Sequence, residues 1–404
     1  MTGRVDDSRR RFLQAGAVAG AGMLMAAGCG PANNTAKPGN GAGNQPGNDT
    51  ANVPENSGPE RLDKRGIVVG GGQLPGSQFF VGIVDLDAAS PSTRHPQDVG
   101  FLGHGFTPRI GKPHIVMITE KHGAGCVEYD LKAGKVLRRV QAGVGREFYG
   151  HSAFSPDAKL WYCTEAETED GSYDGVLAVR DADSLELRDE TFNTHGVAPH
   201  DCILIDDGDT LVITNGGGPL GNKDELPCVS YVNVKNGEAR KVLTFNDPKI
   251  NAGHIAMSSK GELVCVSAPR EGIESDSNDW RGAISFYHPG RDGFVTADDP
   301  IREKMTGETL SVAFDEVTRY VGATNPKGDL VTFWDFDTGK LVRSMDQFKS
   351  PRGITLTLDG KYYVLTHDVT TMMTLIDAQT LEPQGDPIVA QSFISGSHNF
   401  IFNL

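Results

Sequence analysis

One unit recurs six times along this chain and sets what it can fold into. It begins, in most copies, with His, runs through an apolar strand to a polar turn, and returns in a second strand that ends in Thr or Ser. The copies are His104…Thr119, His151…Thr164, His200…Thr214, His254…Ser267, Ser311…Thr324 and Gly353…Thr366, with internal separations of 15, 13, 14, 13, 13 and 13. Each continues into a third strand closing on a short turn, and a less regular fourth strand leads to the next copy. With His398 as a seventh register position, the spacings are 47, 49, 54, 57, 42 and 45 residues, the length of a four-stranded propeller blade. Short strands with turns every 8 to 12 residues and no long helical periodicity place the chain in the all-β class.

Only one strand, 399–404, follows His398, and three strand-like runs (Gly66 to Gly70, Phe79 to Leu86, Val99 to Leu102) precede His104. The sequence therefore predicts a seven-bladed β-propeller over residues 63–404, closed by one C-terminal strand and the N-terminal strands, a closure that leaves only short, protected sheet edges. Its expected state is a monomer.

In such a blade the start of the first strand and the end of the second share a face. That face should gather the register residues with those after the recurring Thr or Ser: Glu120, Glu165, Asn215, Ala268, Asn325 and His367. Five of the seven register positions hold His, although eleven His scattered over 404 residues would place only about 0.2 there. His104, His151, His200, His254 and His398, with Glu120, Glu165 and His367, thus form a candidate N/O ligand set for Fe, Cu or Zn at the channel mouth. The competing reading is a blade lock. WD-type propellers carry a Gly-His pair at this place, as Gly103-His104, Gly150-His151 and Gly253-His254 do here, and channel His can also be satisfied by water.

Near the same mouth, Arg146 and Arg352 are candidates to clamp a carboxylate or phosphate, or else to pair with nearby acids. Tyr149, Asn215 and Asn325 complete the candidate ligand face. Gly216-Gly217-Gly218 after Asn215 either presents N–H groups to a ligand or makes a turn. The acidic run 165–170 lacks the spacing of a calcium loop and reads as solvated. No nucleophile elbow, His-Glu-x-x-His, phosphate loop or Cys-x-x-Cys occurs. Cys126, Cys163, Cys202, Cys228 and Cys265 lie in or beside apolar strands, with one or two disulfides open to them in an oxidising compartment.

Residues 1–28 read as an export signal: Arg9 and Arg10 form a twin-arginine pair before Phe12-Leu13, and the apolar run ends in Ala26-Ala27-Gly28-Cys29, a lipoprotein-type cleavage site that makes Cys29 the candidate acylation site. The run Phe12 to Gly28, 17 residues rich in Gly and Ala, is short for a spanning helix. Membrane attachment is thus expected through the lipid alone. Residues 29–62, nearly all Gly, Pro, Asn and small polar residues, form a tether unable to bury apolar surface. Removing the signal takes four Arg and two Asp from totals of 38 basic and 53 acidic residues and leaves a charge of −17, with no basic cluster for nucleic acid.

Arg146-x-Phe-Tyr-Gly-His151, Gly196-x-x-Pro-His200-Asp201, Asn215-Gly-Gly, Gly253-His254-Ile-Ala and Ser311-Val-Ala-Phe, in this order, resemble the bacterial domain of unknown function 1513 family over residues 66–404. The resemblance implies a twin-arginine-exported seven-bladed propeller of the wider Tyr-Val-Thr-Asn group. It also implies a setting beside imelysin-type lipoproteins and di-haem peroxidases, and so a part in envelope iron or copper handling. The family carries no established activity or catalytic residue. From sequence, then, the chain is expected to be a periplasmic or surface-tethered module that binds a metal or a partner. The alternatives are a metal-dependent oxidoreductase or lactonase-like enzyme at the His-rich mouth, and a pure interaction scaffold.

Overall fold

The computed structural model describes residues 61–74, 78–94, 98–222, 224–270 and 280–404. The signal, Arg9, Arg10, Cys29 and the tether up to residue 60 lie outside the described residues. Arg61 and Leu62 already bond to the fold, through an ion pair from Arg61 to Asp315 at 2.5 Å and a hydrogen bond from Leu62 N to Leu358 O at 3.0 Å.

Among the described residues there is no α-helix, only two 3-10 turns between antiparallel strands, and hence no helix long and apolar enough to cross a membrane. The strands form up-and-down meanders. One four-stranded sheet runs through Gly105–Arg109, Lys112–Thr119, Gly125–Asp130 and Lys135–Gln141, and Arg146–Phe154, Leu160–Glu167, Asp174–Asp181 and Leu187–Val197 make the next, with Lys121–Gly123 added at its edge. Two further meanders, Pro199–Ile205 to Ala239–Phe245 and Ile255–Met257 to Gly293–Thr296, join into an eight-stranded sheet through a short parallel pairing, Thr244 with Gly293 and Phe245 with Phe294. The sheet from Val312–Phe314 to Lys340–Met345 follows, then the one from Ile354–Leu356 to Met372–Asp377.

The chain ends close on each other as the strand count requires. Phe400–Phe402 pairs with Ile67–Leu74 in the register Ile67 to Phe402 and Val69 to Phe400, and Ile67–Leu74 pairs in turn with Gln78–Asp85. The third strand of that sheet is Thr93–Arg94, not Val99 to Leu102. Val99 is apolar and buried, but its N–H bonds singly to Phe79 O and its carbonyl accepts from Arg139, so the segment packs without forming a ladder. Apolarity alone therefore overstated its strand character.

The core is made between sheets. Val69, Val81 and Phe400 pack on Phe106, Val116 and Val127 of the next sheet, and Val68, Val84 and Ile401 pack on Val364 and Leu375 of the last. Because alternate residues of each strand face opposite neighbours, every middle strand reads as a near-continuous apolar run, such as Leu263–Ser267, buried throughout.

The recurring Thr is what fixes the inner strands against one another. Thr164 Oγ1 accepts from His151 N at 3.2 Å and lies 3.0 and 3.1 Å from the carbonyls of His151 and His200, one in its own sheet and one in the next. Thr324 does the same, accepting from Ser311 N and donating to Arg352 O at 2.6 Å, and Thr119 reaches Gly150 O at 2.5 Å. A hydroxyl at Thr119, Thr164 and Thr324 thus reaches the neighbouring sheet, a role that Ser267, whose buried hydroxyl has no hydrogen-bond partner among the described residues, does not share. Thr164→Val keeps the shape and strands these buried groups, so we expect it to lower the unfolding free energy by about 1–3 kcal/mol, read from urea denaturation. A loss below a few tenths of a kcal/mol would remove the lacing role.

Candidate functional site

The inner strands converge with their register residues pointing into one space. His104, His254 and His398 stand just before Gly105–Arg109, Ile255–Met257 and Phe400–Phe402, whereas His151 and His200 lie inside longer strands. Those two strands carry irregularities where the histidines sit: the pairing shifts between Cys163 and Glu165 opposite His151, and between Pro199 and Cys202 around His200. A bulge re-aims a side chain that the strand's alternation would otherwise direct elsewhere. Gly150 makes room for this, with φ at +148° and the position of a missing Cβ only 2.6 Å from His200 Nδ1. A side chain there would meet the ring.

Five imidazoles therefore meet. In nine of their ten pairings, all but His200 with His398, the ring centroids lie from 4.1 Å (His200 to His254) to 5.7 Å (His104 to His254), with His104 to His398 at 4.7 Å and His254 to His398 at 4.6 Å. One ligand nitrogen from each of His104, His151, His254 and His398 falls within 4.8 Å of the others. An ion bound tetrahedrally at ~2.0–2.1 Å holds its ligand nitrogens ~3.3–3.4 Å apart, so pairs at the outer limit of this group would have to draw together by about 1.4 Å to close the site. His104 Nε2, His254 Nε2 and both ring nitrogens of His398 are buried with no hydrogen-bond partner among the described residues. Leaving such groups unmatched is costly, and coordination would match them.

Electrostatics keeps these rings in the ligating form. Burial, then the positive charge that each neighbouring ring would carry, hold His104, His254 and His398 well below the ordinary imidazole range. His200 is lowered first by burial and next by Lys121. Its Nδ1 donates to Tyr149 O at 2.7 Å, which leaves the bare Nε2 facing Lys121 Nζ at 3.5 Å rather than the other four. His200 is thus a fifth, tautomer-fixed imidazole beside the four-nitrogen group.

The other candidate residues are placed differently. Glu165 is fully buried but turned outward from the channel, bonded to Arg180 at 2.9 Å and accepting from Gly143 N. Glu120 folds over its own turn to accept from Gly125 N at 3.1 Å, and burial raises its carboxyl above the usual range. His367 bonds Thr374 Oγ1 at 2.8 Å and packs on Phe348. The metal-competent group found among the described residues contains none of the three, because each has a nearer local partner.

Arg146 pairs with Glu167 at 2.7 Å, the loop-fixing arrangement. Tyr149 gives its carbonyl to His200 and its ring to His122 and Tyr173. Asn215 is buried between Thr194 and Ser230, and Asn325 holds the Glu308 carbonyl and Gly328 N–H. Gly216 and Gly217 donate to Ala198 and Val197 carbonyls, so they make a turn rather than a ligand cradle. All five described cysteines are free and buried, and burial pushes their thiols up, to about 11 for Cys228 and about 12 for Cys265.

Two residues of the mouth were not singled out from sequence as site residues. Asp201, buried next to His200, accepts from Cys202 N and Ile255 N and lies 3.7 Å from His151 Nδ1, as a carboxylate behind a ligating imidazole would. Its only signal was its place after His200. Lys121, second after the recurring Thr119, brings its Nζ to 3.5 Å from His200 Nε2, and nothing in its sequence neighbours marks it.

The protein family described as Protein of unknown function (DUF1513) matches residues 97–387, well over half of the sequence. The chain belongs to this family. No curated protein matches it. Among solved structures it is similar to Kuenenia stuttgartiensis hydrazine synthase, with a TM-score of 0.59 at 14% identity, covering 80% of this chain and 98% of that one. It is also similar to a chain of a mitotic checkpoint complex, with a TM-score of 0.52 at 12% identity, covering 75% and 87%. At these identities the likeness shows the fold alone, a propeller-like all-β architecture shared by this DUF1513 member.

Proposed function

We propose that this DUF1513 protein is a seven-bladed β-propeller of the cell envelope that holds a first-row transition metal at the mouth of its channel. Supporting the blade count, the two halves of the eight-stranded sheet each form a complete meander, and the sheet closed by Phe400–Phe402 completes the circle. The observation that carries the metal is the group of His104, His151, His254 and His398, four buried imidazoles with ligand nitrogens within 4.8 Å of one another. A purely nitrogen set suits Fe, Cu, Zn or Ni and does not suit Mg or Ca, which take oxygen ligands. With no carboxylate in the set, Asp201, 3.7 Å from His151 Nδ1 and with its carboxyl raised by burial to about 7, would release its proton to offset a bound ion.

Twin-arginine export, with its folded cargo, fits a metal loaded before crossing, and Cys29 acylation with the Gly-rich tether places the module near a membrane. A role in envelope iron or copper handling, beside an imelysin-type or di-haem peroxidase partner, follows from the family setting. The test is elemental analysis of protein exported with its own signal and purified without chelator. About one equivalent of Fe, Cu or Zn per chain is expected. A clean absence after supplementation would end the metal reading and leave the rings to bound water.

A further inference from the structure

The chain enters the propeller at the end opposite the histidines. Val312–Phe314 and Ile354–Leu356 start just after the register positions Ser311 and Gly353, on the mouth side, so the turns that follow these strands lie at the far end. Residues 61–66 are fixed to those turns. The Arg61 guanidinium pairs with Asp315 at 2.5 Å and lies against Gly360, at φ +64°, where any side chain would collide with it. Leu62 N donates to Leu358 O at 3.0 Å, and Leu358 N donates to Arg65 O at 2.9 Å.

The next residues hold the same end. Arg65 N and Gly66 N both donate to the Asp87 carboxylate at 2.9 Å, just beyond Gln78–Asp85, and the Arg65 guanidinium stands 5.3 Å from the centre of the Tyr362 ring. The ladder of Ile67–Leu74 with Gln78–Asp85 then begins. The point where the tether joins the fold is therefore set by an ion pair and backbone hydrogen bonds, a full strand length from the mouth. At the mouth end of Ile354–Leu356 stand Lys349 and Arg352, the latter donating through Nε to Gly396 O at 3.3 Å.

We propose that the anchored protein turns its Arg61 end toward the membrane and its histidine mouth away from it, so that whatever binds at the mouth arrives from the aqueous compartment and not from the bilayer that holds the protein. This rests on Cys29 as the acylated residue and does not depend on what the mouth binds. Between Cys29 and Arg61 lie 31 residues, and a Gly-rich coil of that length reaches about 30 Å. An eight-residue strand such as Lys112–Thr119 spans about 27 Å, so the reach equals roughly one propeller height. With the Arg61 end toward the lipid, all of that reach separates protein from bilayer. With the mouth toward the lipid, the chain would first have to run the height of the rim, and little would remain.

Two lysines flanking one strand make the test. The Lys361 side chain, in the turn after Ile354–Leu356, is 63% exposed with Asp359 at 3.6 Å, and that of Lys349, in the loop before it, is 61% exposed with Asp329 at 3.2 Å. They are matched in all but the end they occupy. The chain beginning at Cys29 is coupled through that thiol to a maleimide-headgroup lipid in phosphatidylcholine vesicles that also carry an amine-reactive headgroup. The five cysteines of the fold are buried with raised thiols and stay out of the coupling. Peptide mass spectrometry should find the ratio of Lys361 to Lys349 modification at least about threefold above that given by a water-soluble reagent of the same chemistry. A Cys29→Ser chain coupled instead through Val144→Cys, at a 98% exposed position in the loop before Arg146–Phe154 on the mouth side, should invert the ratio. An equal or inverted ratio for the Cys29-coupled chain would overturn the geometry. Exported protein taken from membranes into the same vesicles should match the coupled chain. Its recovery only in the soluble fraction would overturn the acylation on which the proposal rests, whatever the coupled chain shows.

Discussion

Changing His254 and His398 together to Ala is expected to take bound metal from about one equivalent per chain to less than about a tenth, since losing even one ligand-orienting group costs 10–100-fold in affinity. Both contribute a nitrogen to the group within 4.8 Å, and both rings are buried, so no surface site replaces them. The β-rich circular dichroism should persist, because neither side chain is among those that lace the inner strands. That role belongs to Thr119, Thr164 and Thr324.

Stability separates the metal site from a blade lock. In metal-free protein the His398 nitrogens have no hydrogen-bond partner among the described residues, so His398→Leu replaces an unmatched polar ring by an apolar group of similar size. Such exchanges are neutral or stabilising, and the melting temperature should hold or rise. A lock would behave oppositely, losing about 1–3 kcal/mol as its bonded partners were stranded. Thus the same position should lose metal and keep stability, a trade expected of a residue retained for binding rather than for folding. Retained metal in the double variant, or a marked fall in melting temperature for His398→Leu, would each count against the site.

The repeat was legible because it answers to local constraints that recur in several of its copies. A Thr hydroxyl must tie two inner strands, a register residue must start the inner strand, and apolar runs must fill both faces of the middle strands. The closing pair, Phe400–Phe402 with Ile67–Leu74, followed from counting strands left over at the two ends. The meeting of the five histidines followed from the same register. What the pattern could not carry was the direction of side chains one step further out. Glu120, Glu165 and His367 all follow the recurring Thr, yet each turns to a partner chosen by its own blade: a glycine N–H in its turn, Arg180 fifteen residues on, and Thr374 on the next strand. Asp201 reversed that situation, since the irregular pairing around His200 turns it toward the neighbouring inner strand, where it accepts from Ile255 N. Positions of this kind depend on tertiary partners, and a spacing does not name them.

Glu165 is where the corrected reading has its largest consequence for stability. Its carboxylate is fully buried, held by Arg180 at 2.9 Å on one oxygen and by Gly143 N at 3.2 Å on the other, with Arg146 at 3.9 Å. Arg180 is equally committed, donating to the Gln141 and Leu185 carbonyls and lying over the rings of Phe148 and Trp161. Glu165→Ala leaves that guanidinium buried without its counter-charge, which costs about 3–5 kcal/mol. Substituting both partners with apolar residues, Glu165→Leu with Arg180→Met, removes the stranded charge and should recover much of the loss, because a buried pair is often worth little against a packed apolar one. Urea midpoints should therefore order wild type and the double variant well above Glu165→Ala. Throughout, metal content should stay at the wild-type value, since Glu165 stands apart from the four-nitrogen group. A Glu165→Ala protein of normal stability that had lost its metal would instead put the carboxylate among the ligands, and the inner face of this blade would have to be redrawn.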